Sequence, residues 1–141
     1  MEQMKIMLVD DEESLLSTTK ELFEKMGFYV FTSTSGKNAL EQLRTEKIDV
    51  IILDIKMPGT DGMDILQRIK KDYPLTEVII LTGHGTMKSA IEGLKRGAMD
   101  FLVKPASMKD ILSKVEEAIE KIKRHKQKII SARMADSKDA V

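Results

Sequence analysis

Five residues far apart in the chain are of types that handle phosphate and divalent cations: the adjacent pair Asp10 and Asp11, then Asp54, Thr82 and Lys104. Each comes at the end of a short apolar run: KIMLV before the acid pair, VIIL before Asp54, VIIL before Thr82 and FLV before Lys104. If these runs are parallel strands of one α/β sheet, their C-terminal ends share an edge, and ligands bind at that edge. Three ionised carboxylates brought together repel unless one takes up a proton or a cation sits among them. Mg²⁺ (or Mn²⁺) suits such a set, because it prefers oxygen ligands and is commonly held by one or two carboxylates together with phosphate oxygens. With Cys at 0 and only 2 His, no cluster offers a zinc site. Lys104 supplies a compact positive charge for a phosphoryl oxygen, and the Thr82 hydroxyl can donate to another.

The chemistry that follows is nucleophilic attack of the Asp54 carboxylate on phosphorus, giving an aspartyl phosphate. A carboxylate is ionised near neutral pH and needs no general base. The sequence shows no glycine-rich loop leading into Lys-Ser/Thr, so the phosphoryl donor is expected to come from another molecule. Each residue also has a plainer reading. Asp10 and Asp11, with Glu12 and Glu13 behind them, could simply begin a helix. Asp54 could form a turn ahead of Met57-Pro58-Gly59. Thr82 could be a cap, Lys104 a solvated lysine and His84 an ordinary loop histidine. The functional reading rests on all of them falling at one edge.

Positioning them requires alternating strands and helices. Strands are predicted at 5–9, 29–32, 49–53, 77–81 and 100–103, and helices at about 14–26, 37–45, 63–71 and 87–96, with a long final helix from about Ser107. Gly27 and Gly97 follow helices, as C-terminal glycines do. The continuous VIIL runs imply burial on both faces, as in the middle of a parallel sheet. Five alternations argue an α/β fold, a doubly wound five-stranded parallel sheet with helices on both faces. Right-handed crossovers make the flavodoxin-like order 2-1-3-4-5 the natural choice. Met57 to Gly62 reads as a dense turn. The final helix carries Met108, Ile111, Val115, Ala118, Ile122, His125 and Ile129 at 3-4 spacing, with Leu112 and Ile119 as a second stripe able to face the sheet. Two readings are open for it: one amphipathic helix that frays, or an extension that pairs with another chain or leads into an output domain. Residues 124–141 are expected to be a helical extension fading into a disordered tail from Ala132.

At 141 residues the chain fits one domain with a tail. Charged residues at 33% and hydrophobic residues at 42% fit a globular fold. A formal net charge of +0 gives no indication of non-specific nucleic-acid binding, and no apolar run approaches a membrane span. The absence of cysteine fits a reducing compartment, and with no signal-peptide pattern the simplest expectation is the cytoplasm.

The motifs LVDDEE, LDIKMPGTDG, LTGHG and GAMDFLVKP stand in the order and spacing of one family. Over about residues 4–123 the chain resembles a response-regulator receiver domain, the chemotaxis-Y-like family of two-component signalling. The stretch LTGHGTMKSAIEGLKRGAMDFLVKP is most similar to receivers that head nitrogen-regulator-type transcription factors. The resemblance implies a phosphoprotein switch that transfers nothing to a separate substrate, with Asp54 as phosphoacceptor. Asp11 and Asp54 would hold Mg²⁺ by side chain, Asp10 through water and Lys56 through its backbone carbonyl. Thr82 and Phe101 would be the switch pair, Lys104 would pair with the phosphoryl group, and Lys104-Pro105 would be cis. Lys56 and His84, two residues beyond Asp54 and Thr82, would set the phosphate lifetime. The expected partners are a sensor histidine kinase or phosphotransfer protein, and a second copy docking through the face from Met87 to Ile122; membrane and direct nucleic-acid contact are not expected. The chain could be a stand-alone receiver or the N-terminal receiver of a longer transcriptional regulator. An alternative is a phosphatase or phosphotransferase with an aspartate nucleophile, but such enzymes need an acid two residues after the nucleophile, where this chain has Lys56. A flavodoxin-like cofactor module would want phosphate loops and flanking aromatics, and aromatic residues are only 4%.

Overall fold

The computed structural model describes residues 3–139. Its elements are β1 (Lys5–Val9), α1 (Glu13–Lys25), β2 (Tyr29–Ser33), α2 (Gly36–Leu43), β3 (Val50–Leu53), β4 (Lys56–Met57), β5 (Thr60–Asp61), α3 (Gly62–Asp72), β6 (Glu77–Thr82), α4 (Met87–Lys95), β7 (Asp100–Val103) and α5 (Met108–Asp139). The five main strands form one sheet in the order β2-β1-β3-β6-β7, every pair parallel. Counted without the small β4-β5 pair, this is the expected order 2-1-3-4-5.

Strand alternation divides the core into two layers. Met7, Val9, Ile51, Leu53, Val78 and Ile80 pack on one face with Ala39 and Leu43 of α2 and Leu66 and Ile69 of α3. Ile6, Leu8, Val50, Ile52, Ile79 and Leu81 pack on the other with Phe23 of α1 and Ile111, Val115 and Ala118 of α5. The Val-Ile-Ile-Leu runs are buried along their whole length, as strands covered on both faces must be. Helix starts follow from local chemistry: Ser35 accepts from the Asn38 amide, Asp61 from Met63, and Thr86 and Ser89 form a reciprocal capping box.

The structure differs from the sequence reading in two places. The Met57 to Gly62 turn contains a two-stranded antiparallel hairpin, pairing Lys56 with Asp61 and Met57 with Thr60. Pro58-Gly59 forms its loop, with Gly59 at φ +71°, as the third residue of a type II turn requires. Second, α5 runs unbroken through Asp139 where fading into disorder is expected from Ala132. Ala, Arg, Met and Lys are good helix formers, and neither Gly nor Pro interrupts them. Residues 140 and 141 of that expected tail lie outside the described residues. Nearer the start of α5 both stripes meet the sheet, as expected: Ile111, Val115, Ala118 and Ile122 are buried, joined by Ile119, and the half-buried Leu112 packs against the same layer.

Candidate functional site

Register places the acids side by side. Val9 is the Cα partner of Leu53, so Asp10 and Asp54, the next residues, lie at adjacent strand ends. Ladder-like bonds hold them there: the Asp10 amide donates to the Ser33 carbonyl (3.0 Å), Asp54 to Val9 (2.9 Å) and Lys104 to Thr82 (2.8 Å). Carboxylate oxygens of Asp10, Asp11 and Asp54 all lie within 4.8 Å of one another. Asp10 and Asp54 are each 5% exposed, whereas Asp11 is open to solvent.

Lys104 reaches across the sheet edge to this group. Its Nζ donates to Asp10 Oδ2 at 2.6 Å and to Asp54 Oδ2 at 3.3 Å, with Glu12 Oε1 at 3.8 Å. The remaining oxygens are also engaged: Asp10 Oδ1 accepts from the Glu12 amide and Asp54 Oδ1 from the Lys56 amide, both at 2.9 Å. Burial raises the Asp10 carboxyl above its ordinary value, and the nearby Asp54 charge adds to this against the opposing bond from Lys104. For Lys104, burial favours the neutral amine, but the Asp10 bond and the charges of Asp10 and Asp54 outweigh it, and the ammonium is held above its usual 10.5. Three carboxylates facing one ammonium leave the edge short of positive charge. An all-oxygen donor set of this kind fits a hard divalent cation such as Mg²⁺.

The remaining expected residues lie on neighbouring elements. Thr82 ends β6 fully buried, and its Oγ1 accepts from the His84 amide at 3.3 Å. By strand parity Thr82 faces the α2-α3 side with Ile80, while Asp10, Asp54 and Lys104 share the parity of Leu8, Ile52 and Leu102 on the α1-α5 side. Phe101, the register partner of Ile80, is half-buried against the same layer as Ile80. Lys56 lies on β4 with an exposed side chain, and its contact with the acids is through the backbone amide. His84 is exposed in the loop before α4. The Lys104-Pro105 peptide is cis, as expected.

Two contributors escaped the sequence reading. The hairpin folds back on the strand end so closely that a Cβ on Gly62 would lie 2.2 Å from Ile55 Cα. Only glycine allows this approach, which fixes the backbone just beyond Asp54; the Pro-Gly pair between short strand-like segments was the available signal. Glu12, read only as a first-turn acid, adds a third carboxylate to the Lys104 environment.

A family model for the response regulator receiver domain matches residues 6–116. The chain belongs to that family. It is 33% identical to a putative response regulator NtrX-like of Rickettsia felis, over all of this chain but 30% of that protein. The chain thus spans less than a third of the length of this curated relative. Among solved structures, a CheY-like response regulator receiver domain protein from Methanospirillum hungatei superposes with a TM-score of 0.85 at 26% identity, covering 88% of this chain and 99% of the other. The beryllofluoride-activated NtrC4 receiver domain dimer superposes at 0.79 with 34% identity, covering 84% and 98%. This is a two-component receiver of the NtrC/NtrX-like kind, a regulatory module in its family. Among the described residues, no helix is long and apolar enough to cross a membrane.

Proposed function

We propose that this receiver is switched by phosphorylation of Asp54. The observation that carries this is the meeting of the Asp10, Asp11 and Asp54 carboxylates with Lys104 Nζ at one sheet edge. A carboxylate oxygen of Asp54 attacks the phosphorus of a phosphohistidine on a sensor kinase or phosphotransfer protein. The P–N bond breaks, its electron pair returns to the imidazole, and the new bond is an acyl phosphate. Asp11 and Asp54 by side chain, Asp10 through water and the Lys56 carbonyl would hold Mg²⁺, which when bound offsets charge on the phosphoryl oxygens. Lys104, already charged and within reach of Asp54, pairs with the transferred group.

The readout runs through the other face of the sheet. Thr82 exchanges its bond from the His84 amide for a phosphoryl oxygen, and Phe101 follows inward. A Phe carries no hydroxyl, so packing alone transmits its position. The Phe101 ring lies against Gly85, where an added Cβ would sit 3.0 Å from its Cε1, so the loop and the ring move together. Met87, Ile91, Leu94 and Val103 are exposed apolar side chains on α4 and β7, and we assign homodimer contact to this face. Lys56 and His84, both exposed and two residues beyond Asp54 and Thr82, set how fast water reaches the acyl phosphate; unchanged dephosphorylation in both Ala variants would remove this role. The cytoplasm is the compartment in which such a partner kinase domain acts, and the relative's greater length is compatible with a place within a longer regulator.

Intact-mass spectrometry after incubation with Mg²⁺ and acetyl phosphate tests the proposal. One phosphate adduct, labile to hydroxylamine and absent in Asp54→Ala, is expected. A stable adduct, or one that survives in the variant, would overturn the assignment of Asp54. If acetyl phosphate leaves no adduct, phosphorylated histidine kinases take its place, and failure of transfer from them would overturn the switch itself.

A further inference from the structure

The end of the sheet opposite Asp54 carries a groove of about 580 Å³ between the first part of the α5 extension, the α3-β6 connection and the segment before β3. Six of its lining side chains are cationic: Lys47, Lys70, Lys121, Arg124, Lys126 and Lys128. Its two acids are already engaged. Asp49 Oδ2 accepts from the Lys5 amide at 2.9 Å, and Glu77 pairs with Lys121 at 3.3 Å. Among the described residues, no carboxylate comes within 4.0 Å of Lys47, Arg124, Lys126 or Lys128. Lys70 Nζ is held by the carbonyls of Pro74 (2.9 Å) and Thr76 (2.7 Å) rather than by an acid. Cations on neighbouring elements repel one another at this range unless an anion sits between them.

The groove is also partly apolar. Ile48 and Ile122 are buried at its base, and Leu75 stands 59% exposed at its lip beside Pro74. No Phe, Tyr or Trp lines it and His125 is the one aromatic ring among its lining residues, so it lacks the row of aromatic platforms on which successive bases of a single strand stack. A duplex backbone is uniformly polar and would leave Leu75 unmatched. An acidic polypeptide meets both features, with carboxylates for the cations and one apolar side chain for the lip. Along α5, Lys121, Arg124 and Lys128 recur at about one-turn intervals, roughly 5 Å apart, a spacing that successive carboxylates of a peptide can follow.

We propose that this groove is a docking site for an acidic segment of a partner protein that carries an apolar anchor. The site lies one strand length, about 17 Å, from the phosphoryl edge. A partner held there leaves Asp54 open to a phosphoryl donor, so docking and phosphorylation are compatible on one molecule. The inference does not depend on Asp54 being the acceptor.

The test is titration of the ¹⁵N-labelled full chain with a short synthetic peptide of glutamates carrying one central leucine, and separately with duplex DNA. Saturable amide shifts centred on Lys47, Lys70 and the Lys121 to Lys128 turns are expected, weakening as salt is raised. Exposed Lys47→Glu combined with Lys128→Glu should lower the peptide affinity by roughly tenfold or more while leaving the amide spectrum of the fold and the Asp54 adduct in place. Replacing leucine by serine in the peptide should weaken it further. Shifts scattered over basic residues elsewhere, such as Lys20 and Lys88, would overturn the proposal, as would no saturation, an undiminished affinity in the double variant, or tighter binding of duplex DNA.

Discussion

The two ends of this sheet use charge in opposite ways. At the C-terminal edge, Asp10 and Asp54 are almost fully buried, and Lys104 is bonded to both. At the N-terminal edge, the cations other than half-buried Lys70 are exposed, and Glu77 with Lys121 is the one close pair of opposite charges in the groove among the described residues. A net charge of +0 therefore describes a molecule with an acidic end and a basic end. Buried charge without its partner is costly, whereas exposed charge is screened by water. Folding should thus be sensitive to substitution of the buried groups at the acidic end, and the basic end more tolerant in folding but sensitive in binding.

The largest expected effect is at the acidic end. Lys104→Met leaves Asp10 and Asp54 buried beside each other without a cation and should cost about 3–5 kcal/mol of stability in urea unfolding without Mg²⁺. A loss no greater than that of a surface lysine would break the contrast. Gly62→Ala comes next. Its Cβ would collide with Ile55 backbone atoms that cannot move independently of Asp54, so we expect a loss of about 1–3 kcal/mol together with slower adduct formation. Asp11→Asn is the sharper probe of the cation. Because Asp11 is exposed, the variant should fold as well as the parent, yet the rise in thermal midpoint that Mg²⁺ gives the parent should disappear; an equal rise in both would place the cation elsewhere.

Effects at the basic end should be smaller. Lys121→Met leaves the Glu77 side chain, 9% exposed, without its close partner, but Lys121 itself is 55% exposed and Lys70 also places positive charge near Glu77, so the cost should be about 1–2 kcal/mol. Lys70 differs in its pH dependence. Burial foremost lowers its ammonium below the usual 10.5, only partly countered by the Glu77 charge. The folded state therefore disfavours the charged amine: this penalty is complete below the folded value and fades as pH rises through it toward 10.5. Urea unfolding across that alkaline window should show a rise in the parent's stability, relative to Lys70→Met, as pH increases. A difference that stays constant with pH would mean that Lys70 is solvated.

Strand and helix identities were legible because they follow from local pattern: apolar runs of strand length, 3-4 stripes and glycine stops at Gly27 and Gly97. The convergence of Asp10, Asp11, Asp54 and Lys104 was legible because parallel strands bring their C-terminal ends to one edge wherever they fall in sequence. The hairpin was missed because two residue pairs are too few to show a period, and its closeness to Ile55 depends on atoms brought from the other side of a turn. Both α5 stripes have helical spacing, and the sheet takes residues from each, Ile111, Val115, Ala118 and Ile122 together with Ile119. The basic groove was invisible as a groove. Lys121 to Lys128 read as a charge run, and Lys47 and Lys70 join it only through the folded chain.

By itself the sequence determined the layer architecture, the strand ends that carry acids and lysine, and family membership, since each depends on residue type and short-range spacing. Tertiary structure alone decided which oxygens Lys104 bonds, that Thr82 and Phe101 face the layer opposite the acids, and that six separated cations share one concavity. Those outcomes depend on distances between side chains distant in the chain, which close packing sets to within tenths of an ångström and linear spacing does not specify.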